Sequence, residues 1–430
     1  MGKGTSTSTA IFDTRAQQHL RGGKRILYLT FDGVLEPLGQ SQVLSYICRL
    51  SERGFSYVLL SLEREHDLVD VEAVAETEEI LRRYRVKWVR LPYRAGGLRA
   101  ALRNLREAAR AARALIQTEV IGLVHARAHL TAIIAWYLHF RCRMPYLFDA
   151  RGYLIEEKIE EGQWFTRRSV YALAKWLERR IFRSAAGVVT LTQVMARDLR
   201  AGILRGKPQV PIVIIPTCAD FDEFSLDSPS CSAVPEELRE RLESRLVVGM
   251  VGAINASYHV REGLVLFRLL RERRADAHLL GITKQGGLLR SLVHEAGIPD
   301  GACTITQARH REMPDWLRLM DWGLLLLRDA FAKRGSMPTK LAEMLACGVR
   351  PIQYGCNSEV TEKVREAGSG IVLTDLSHAT LVLAAEQIAN RALTSEEQRN
   401  ARELSSAWFS LKSGVDKYES LLTELLMKEK

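Results

Sequence analysis

The sequence predicts an α/β protein built from two doubly wound, Rossmann-like domains. From Arg25 onward, short runs that are apolar throughout alternate with longer stretches of helical period. Strands of this kind are buried on both faces, as in a parallel sheet covered by helices, and their alternation with helices is typical of the doubly wound architecture. The pattern breaks once and then starts again, and a length of 430 residues suits more than one domain. Because open α/β sheets bind ligands at the carboxyl ends of their strands, we expect the two sheets to face a central cleft.

A segment rich in Ser, Asp and Pro at 216–235 separates the strand candidates into two groups, and it predicts an inter-domain linker. The runs before it are RILYLTF, SYVLLSL, VKWVRL, VIGLV, PYLFDA, GVVTLT and VPIVIIP. The runs after it are LVVGMVGAI, AHLLGI, ACTIT, DWGLLLL, RPIQY and GIVLT. The predicted division is therefore a flexible tail at 1–24, a first domain at 25–215, the linker, a second domain at 236–400 and a C-terminal helical segment at 401–430.

Composition narrows the class of protein and of partner. Hydrophobic residues make up 47% and charged residues 26%, so the chain has enough apolar material for real cores. The net charge of +10 favours anionic ligands or surfaces, without choosing among phosphates, acidic lipid and nucleic acid. No basic–aromatic interleaving or known binding module supports nucleic acid. Seven scattered cysteines without a Cys-x-x-Cys pair predict neither disulfides nor a zinc site, and no apolar run is long enough to span a bilayer. We therefore expect a cytoplasmic protein.

One loop and the helix after it have the features of a phosphate site. Pro338 stands where it opens a helix, whose first N–H groups are free to bind an anion. The hydroxyls of Ser336 and Thr339 and the ammonium of Lys340 lie beside that helix start. Glu343 follows one turn later, where a carboxylate can accept hydrogen bonds from ribose hydroxyls. The alternative is an ordinary crossover with a capped helix. No carboxylate motif suggests a metal, so we expect neither a metal nor a cofactor.

A second set of polar residues follows two strands of the first domain. His125 and Arg127 come after VIGLV, and Asp149 and Arg151 come after PYLF. We expect His125, Asp149 and Arg151 to be catalytic and Arg127 to lie on the acceptor side. The alternatives are a structural histidine and an internal salt bridge. The next segment carries further carboxylates that suit either a solvated helix face or the recognition of acceptor hydroxyls, namely Glu156 and Glu157.

A helix predicted at Leu98–Leu115 carries a stripe of arginines. They recur at spacings of four, three, four and three, so they share one face of the helix. The stripe consists of Arg99, Arg103, Arg106, Arg110 and Arg113. It is either a solvated exterior or a surface that holds the protein against anionic lipid headgroups, which would place it peripherally on the cytoplasmic face of a membrane.

The segment PTKLAEMLACGVRPI resembles the donor-site signature of the large retaining GT-B glycosyltransferase family that includes sucrose and mannosyl transferases. LYLTFDGVLEPLGQSQVL is similar to the start of bacterial members involved in polysaccharide assembly, and VHARAHLTA, FDARGYLIEEKIEEGQW, VIIPTCADFDEF and WLRLMDWGLLLL are similar to further landmarks in the same order. The resemblance covers about 25–370. It implies that a nucleotide sugar binds the second domain, with the diphosphate at the helix start and the ribose on Glu343. It also implies that the loop containing Gly39 faces the donor, and that a glycan or lipid-linked acceptor binds the first domain.

Two departures from the family pattern leave other readings open. Gly335 stands eight residues before Glu343, where many members carry a second glutamate. After LVVGMVG the chain has Ala253 in place of the usual arginine, so we assign phosphate binding to Arg261 further along, with Lys284 as another cation. The alternatives to a transferase are a catalytically silent partner subunit and a nucleotide-sugar epimerase or phosphorylase of the same architecture.

Overall fold

The computed structural model describes residues 23–162, 168–226, 233–355, 358–368, 370–391 and 394–427. The chain forms two compact units, Met1–Ile215 with Gly414–Lys430, and Pro216–Ser413. The tail expected at 1–24 lies outside the described residues except for its last two, and 227–232 of the expected linker lie outside them as well.

The first unit contains a parallel sheet of seven strands. In space their order is β3-β2-β1-β4-β5-β6-β7, so the chain builds outward on one side of β1 and then crosses back to the other side. Four of these strands are buried over all or nearly all of their length, which explains their lack of polar alternation. The strands are β1 (Arg25–Thr30), β2 (Tyr57–Arg64), β3 (Lys87–Tyr93), β4 (Ile121–Arg127), β5 (Tyr146–Ala150), β6 (Gly187–Thr190) and β7 (Ile212–Ile214).

Helices connect these strands and supply the other half of the core. The first two are joined by a π-helical turn at Gln40–Leu44. The helices of this unit are α1 (Pro37–Gly39), α2 (Ser45–Glu52), α3 (Glu65–Leu68), α4 (Val71–Arg83), α5 (Gly97–Thr118), α6 (Ala128–Cys142), α7 (Leu154–Glu160), α8 (Arg168–Ser184) and α9 (Gln193–Ala201). Buried residues of α5, α6 and α8, such as Ala112, Ala135 and Phe182, join one hydrophobic core with the strands. Since α6 packs against both α5 and α8, these three helices form one layer.

The second unit contains a parallel sheet of six strands in the order β10-β9-β8-β11-β12-β13. The strands are β8 (Val247–Val251), β9 (His278–Ile282), β10 (Cys303–Thr306), β11 (Trp322–Leu326), β12 (Arg350–Tyr354) and β13 (Ile371–Val372). The helices are α10 (Glu236–Glu243), α11 (Val260–Arg271), α12 (Gly286–Glu295), α13 (Met313–Leu317), α14 (Thr339–Ala346), α15 (Ser358–Ala367), α16 (His378–Asn390) and α17 (Ser395–Phe409). Each unit thus has its own hydrophobic core.

The last helix, α18 (Leu411–Met427), packs on the first unit after its first turn. Its apolar stripe, which includes Leu421 and Leu425, lies against Gly187 of β6, and a Cβ atom at Gly187 would come within 3.2 Å of Leu425 Cδ1. Arg53 also forms ion pairs with Asp416 at 3.0 Å and with Glu419 at 2.6 Å. The sequence predicts one separate C-terminal helical segment at 401–430. The structure instead divides it, because α17 packs in the second unit and α18 in the first.

Candidate functional site

The four polar residues expected at the strand ends of the first unit lie together, and we call them the strand-end cluster: His125, Arg127, Asp149 and Arg151. They meet because β4 and β5 are parallel neighbours, with Arg127 opposite Asp149 in the register. Asp149 accepts from both arginines, with Arg151 Nη1 at 3.2 Å from Oδ1 and Arg127 Nη1 at 3.5 Å from Oδ2. Burial alone would raise the pKa of the Asp149 carboxyl, but the charges of Arg151 and Arg127 outweigh burial and hold that pKa well below its usual range. The carboxylate therefore stays ionised.

His125 is enclosed by aromatic rings, with only 1% of its surface exposed. Its ring centroid lies 4.3 Å from that of Tyr28 and 5.4 Å from that of Tyr418. The distance of 3.9 Å between Nε2 and Asp149 Oδ2 is too long for a hydrogen bond. Burial lowers the pKa of His125, so the imidazole is neutral at neutral pH. His125 and Asp149 are thus enclosed side chains, and the catalytic role expected for them stays a prediction.

Two members of this site that the sequence analysis did not select contact the arginines directly. Arg127 Nε donates to Asp32 Oδ2 at 3.0 Å, and Arg151 Nη2 donates to Gln42 Oε1 at 3.5 Å. Asp32 follows the end of β1 by two residues, so the rule that found the other residues could have found it as well. Gln42 lies in the π-helical turn, which has no clear sequence signal.

Gly39 has a packing role that the structure makes visible. A Cβ atom there would lie 1.9 Å from the carbonyl oxygen of Gly33, so only glycine allows this approach of two backbone segments. The same loop is held by the buried carboxylate of Glu63, which accepts from the amides of Val34 at 3.0 Å and Leu35 at 3.3 Å. Gly39 therefore fixes the shape of the loop after β1, and its expected contact with the donor stays a prediction.

Of the two carboxylates expected on the acceptor side, Glu156 already has a partner. Its Oε1 accepts from Lys175 Nζ at 2.8 Å, which ties α7 to α8. Glu157 is half-buried on the same short helix. Glu156 is thus part of the contact between two helices.

In the second unit, α14 begins where the sequence predicts a helix start after Pro338. Pro338 is the N-cap residue, and within the described residues no side chain caps the helix. The loop before it is held in place, because Ser336 Oγ donates to the carbonyl of Lys333 at 2.9 Å and Thr217 Oγ1 donates to that of Met337 at 3.0 Å. The N–H group of Leu341 donates to the carbonyl of Pro338 at 3.1 Å. Those of Thr339 and Lys340, at the very start of α14, are available to an anion.

Lys340 connects this helix start to the end of β8. Its Nζ donates to the carbonyl of Val251 at 3.0 Å and lies 3.6 Å from the ring centroid of Tyr258. Burial lowers the pKa of Lys340 from 10.5 to about 7, against the opposing effect of Glu343. An anion that replaced the carbonyl as its partner would favour the charged form.

Glu343 lies on the same face of α14 as Lys340, three residues further on, and is 8% exposed. Its Oε1 is 3.7 Å from Nε2 of His310, a residue that the sequence analysis did not select. Burial alone would lower the pKa of His310, but the Glu343 carboxylate outweighs burial and raises it. The His310 ring also packs on Phe224, with 5.6 Å between the centroids. His310 therefore lies beside the carboxylate expected to bind ribose.

The two further cations expected to bind the donor, Arg261 and Lys284, are both exposed. The guanidinium of Arg261 pairs with Glu295 at 2.6 Å, and both side chains are exposed. This pairing links α11 to α12, and the phosphate contact expected of Arg261 stays a prediction. Lys284 follows β9 and is exposed. The neighbouring Gln285 instead holds the loop after β8, accepting from the amide of Ile254 at 2.6 Å.

Comparisons with known proteins relate part of the chain to glycosyltransferases. Residues 39–218, less than half of the chain, match the family described as "Glycosyl transferase 4-like domain". A curated relative, the alpha-D-kanosaminyltransferase of Streptomyces kanamyceticus, is 24% identical over 325 residues, which are 72% of this chain and 79% of that protein.

Solved structures share the whole architecture at low identity. The sucrose-phosphate synthase of Thermosynechococcus elongatus superposes with a TM-score of 0.68 at 14% identity, covering 94% of this chain and 99% of that one. Anabaena HepE in complex with UDP has a TM-score of 0.64 at 13% identity, covering 93% and 100%. A putative UDP-N-acetylglucosamine 2-epimerase from Listeria monocytogenes has a TM-score of 0.61 at 12% identity, covering 95% and 98%. Together with the two all-parallel α/β units, these structures show that the chain has the GT-B fold, and the matched domain and the curated relative show that it is similar to glycosyltransferases.

Proposed function

We propose that the protein transfers a sugar, with retention of configuration, from a nucleotide-sugar donor to a glycan or lipid-linked acceptor, and that it needs no metal ion. The observation that carries the proposal is the alignment on α14 of an uncapped helix start, the ammonium of Lys340 and the carboxylate of Glu343. Phosphate and ribose are the two parts of a nucleotide that require such groups, in that order along the helix. Retention rests on the resemblance of PTKLAEMLACGVRPI to the retaining family.

Uridine nucleotides are the first donors to test. Anabaena HepE was crystallised with UDP, with UDP and glucose, and with UDP-glucose. On this basis we propose a UDP-sugar donor for the present chain.

The proposed mechanism stabilises the leaving diphosphate. Glycosyl transfer passes through an oxocarbenium-like state while negative charge grows on the leaving group. The partial positive charge at the start of α14 and the ammonium of Lys340 counter that charge. The acceptor hydroxyl then attacks the face that the leaving group vacates, and the departing phosphate takes the hydroxyl proton, as the resemblance implies.

In this proposal the first unit binds the acceptor. The guanidinium of Arg151 is held by Asp149 and Gln42, and that of Arg127 by Asp32 and Asp149, so both are fixed before a substrate arrives. Preorganised donors of this kind suit sugar hydroxyls or the phosphate of a lipid-linked glycan. His125 lies beside Asp149, and its catalytic role remains part of the proposal.

The proposal also includes a peripheral position on the cytoplasmic face of a membrane. All five arginines of the stripe on α5 are exposed, and Arg103 is paired with Glu107 at 3.1 Å. Within the described residues no helix is long and apolar enough to cross a bilayer. The stripe would attract anionic headgroups from a distance, with a reach of about 8 to 10 Å at physiological salt.

A thermal-shift screen with UDP, GDP and ADP, followed by product analysis with the UDP-sugar, tests the proposal. A nucleotide that binds only the folded state raises the melting temperature, by an amount set by its concentration relative to Kd. We expect UDP to stabilise the protein, and we expect sugar transfer only when an acceptor is present. Because one structural neighbour is a putative epimerase, the products are also examined without acceptor. Isomerised donor would favour an epimerase. A stabilising nucleotide with neither transfer nor hydrolysis would favour a silent partner subunit.

A further inference from the structure

The outer surface of α6 and α8 exposes an unusual number of large apolar side chains. Leu173 is 64% exposed, Phe140 62% and Trp176 49%, and these three lie on two helices that pack against each other. Single exposed hydrophobic residues are common, but a group of them marks a contact site. The exposed apolar residues of the two helices are Tyr137, Phe140, Val170, Tyr171, Leu173 and Trp176.

The acidic residue of α8 faces inward, whereas two of its arginines are exposed to solvent. Glu178, the one acidic residue of this helix, is turned inward, where it lies 3.6 Å from His129 and pairs with Lys175. Arg179 and Arg180 are exposed on the outer side, and Arg180 stacks on the ring of Trp176 at 5.4 Å. The sequence of α6 contains no acidic residue. The outer surface of these helices is therefore aromatic and cationic together.

A cavity of about 540 Å³ lies in this surface. Four of its lining residues are cationic, three are aromatic and none is acidic, which suits a phosphate attached to an apolar molecule. Its lining consists of Trp136, Phe140, Trp176, Arg179, Arg180, Arg183, Ser184 and Lys207.

The position of the cavity separates it from the strand-end cluster. Ser184 precedes β6 and Lys207 precedes β7, so the cavity lies toward the amino ends of these strands. The strand-end cluster lies at the carboxyl ends of β4 and β5. The cavity is thus at the opposite edge of the same sheet, and it is not the acceptor site proposed above.

We propose that the outer surface of α6 and α8 docks on an anionic lipid bilayer, with a headgroup phosphate in this cavity and the exposed apolar side chains at the boundary of the acyl chains. Interfacial contact needs apolar anchors and cations on one face, and tryptophan and tyrosine are the residues enriched at that depth. This surface is distinct from the stripe on α5. Since α5, α6 and α8 form one layer, the stripe adds attraction from a distance while α6 and α8 make the contact.

Co-sedimentation with vesicles tests the proposal, using phosphatidylcholine with or without phosphatidylglycerol at low and physiological salt. The wild type is expected to bind only the vesicles with phosphatidylglycerol. Each basic residue at an anionic surface contributes about a fivefold factor in binding, so Arg179→Gln with Arg180→Gln should weaken binding about 25-fold. The matched control on the same layer, Arg106→Gln with Arg110→Gln, should lose less than about fivefold, because those residues act through screened attraction.

A second pair of variants separates apolar anchoring from charge. Trp176→Ser should weaken binding several-fold at physiological salt, and Trp176→Tyr should retain most of it, because tyrosine also favours the interface. Stabilisation by UDP should be unchanged in every variant, so failure of the docking and failure of the proposed donor site would be seen separately. The proposal is overturned if the wild type stays in solution at low salt, if the α5 control loses as much as the α8 pair, or if Trp176→Ser instead dissociates an oligomer.

Discussion

The charge state of Lys340 predicts how the affinity for UDP depends on pH. In the free protein its pKa is lowered to about 7, so above that pH it loses its proton. A bound diphosphate would favour the charged form and raise this pKa, so binding above pH 7 must include proton uptake. We therefore expect the affinity for UDP to be constant just below pH 7 and to fall by up to about tenfold per pH unit above it. Isothermal titration of UDP in buffers of different ionisation enthalpy measures both the affinity and the protons taken up.

A matched variant supplies the control for this pH dependence. Arginine stays charged throughout this range, so Lys340→Arg should bind UDP with an affinity that no longer falls between about pH 7 and 9. The terminal phosphate of the nucleotide is itself fully ionised above about pH 7, so it does not imitate the effect. Equal wild-type affinities at pH 7 and 9, with no proton uptake, would show that Lys340 does not contact the diphosphate.

Glu343 carries a second prediction at the residue scale. If its carboxylate accepts hydrogen bonds from ribose, Glu343→Ala should weaken UDP binding by about 1.5 to 3 kcal/mol, the usual range for hydrogen bonds to a charged group. The control is Glu362→Gln, which removes a carboxylate from the exposed side of α15 in the same unit. Calorimetry on both folded variants decides, and an unchanged affinity of Glu343→Ala would remove the residue from the site.

Most of these residues could be predicted from the sequence, but the contacts around them could not. The rule that polar residues after buried parallel strands meet at one sheet edge found His125, Arg127, Asp149 and Arg151. It gave no sign that His125 is enclosed, because one of the two rings that cover it belongs to Tyr418, almost 300 residues away in the chain. A contact between such distant segments has no local pattern in the sequence.

At the element scale, α18 completes the first unit. Tyr418 is 3% exposed and lies against the rings of His125 and Tyr46, with 5.2 Å between its centroid and that of Tyr46. Tyr418→Ala should lower the free energy of unfolding by about 3 to 5 kcal/mol, the usual loss for removing a large buried aromatic ring. Urea unfolding of the first unit measures it. Tyr418→Phe keeps the ring and should lose much less, so equal losses from the two variants would assign the effect to the hydroxyl group.

The existence of the strands was predictable, whereas their order was not. Each apolar run taken as a strand candidate contains a strand, from RILYLTF at Arg25–Thr30 to GIVLT at Ile371–Val372. This succeeds because burial on both faces leaves a continuous apolar run. The crossing of the chain from β3 back to β4, and the return of α18 to the first unit, depend on packing between remote segments. Contacts between remote segments leave no local pattern in the sequence, so the strand order could not be predicted from it.

At the scale of the whole molecule, the residues of the second unit are inserted in the sequence between two segments of the first unit. The chain leaves the first unit after Ile215 and returns at Gly414. The first core is therefore complete only when the last helix has been added, since Leu421 and Leu425 cover β6. Each unit nevertheless has its own buried apolar cluster, so each can open as a separate cooperative unit.

This separation leads to a prediction for hydrogen exchange in the presence of UDP. A ligand bound only by the folded second unit slows those amides that exchange through unfolding of that unit, by about 100-fold when UDP is present at 100 times its Kd. We expect such protection in β8, β11 and α14, and no comparable change in β4 and β5, because the first unit opens independently. Peptide-resolved exchange with mass spectrometry measures both sets of strands in one experiment. The variant Glu343→Ala should lose most of the protection at the same UDP concentration, retaining less than about tenfold, whereas Glu362→Gln should keep it. Equal protection of both units would contradict independent opening, and protection confined to β4 and β5 would move the nucleotide to the first unit.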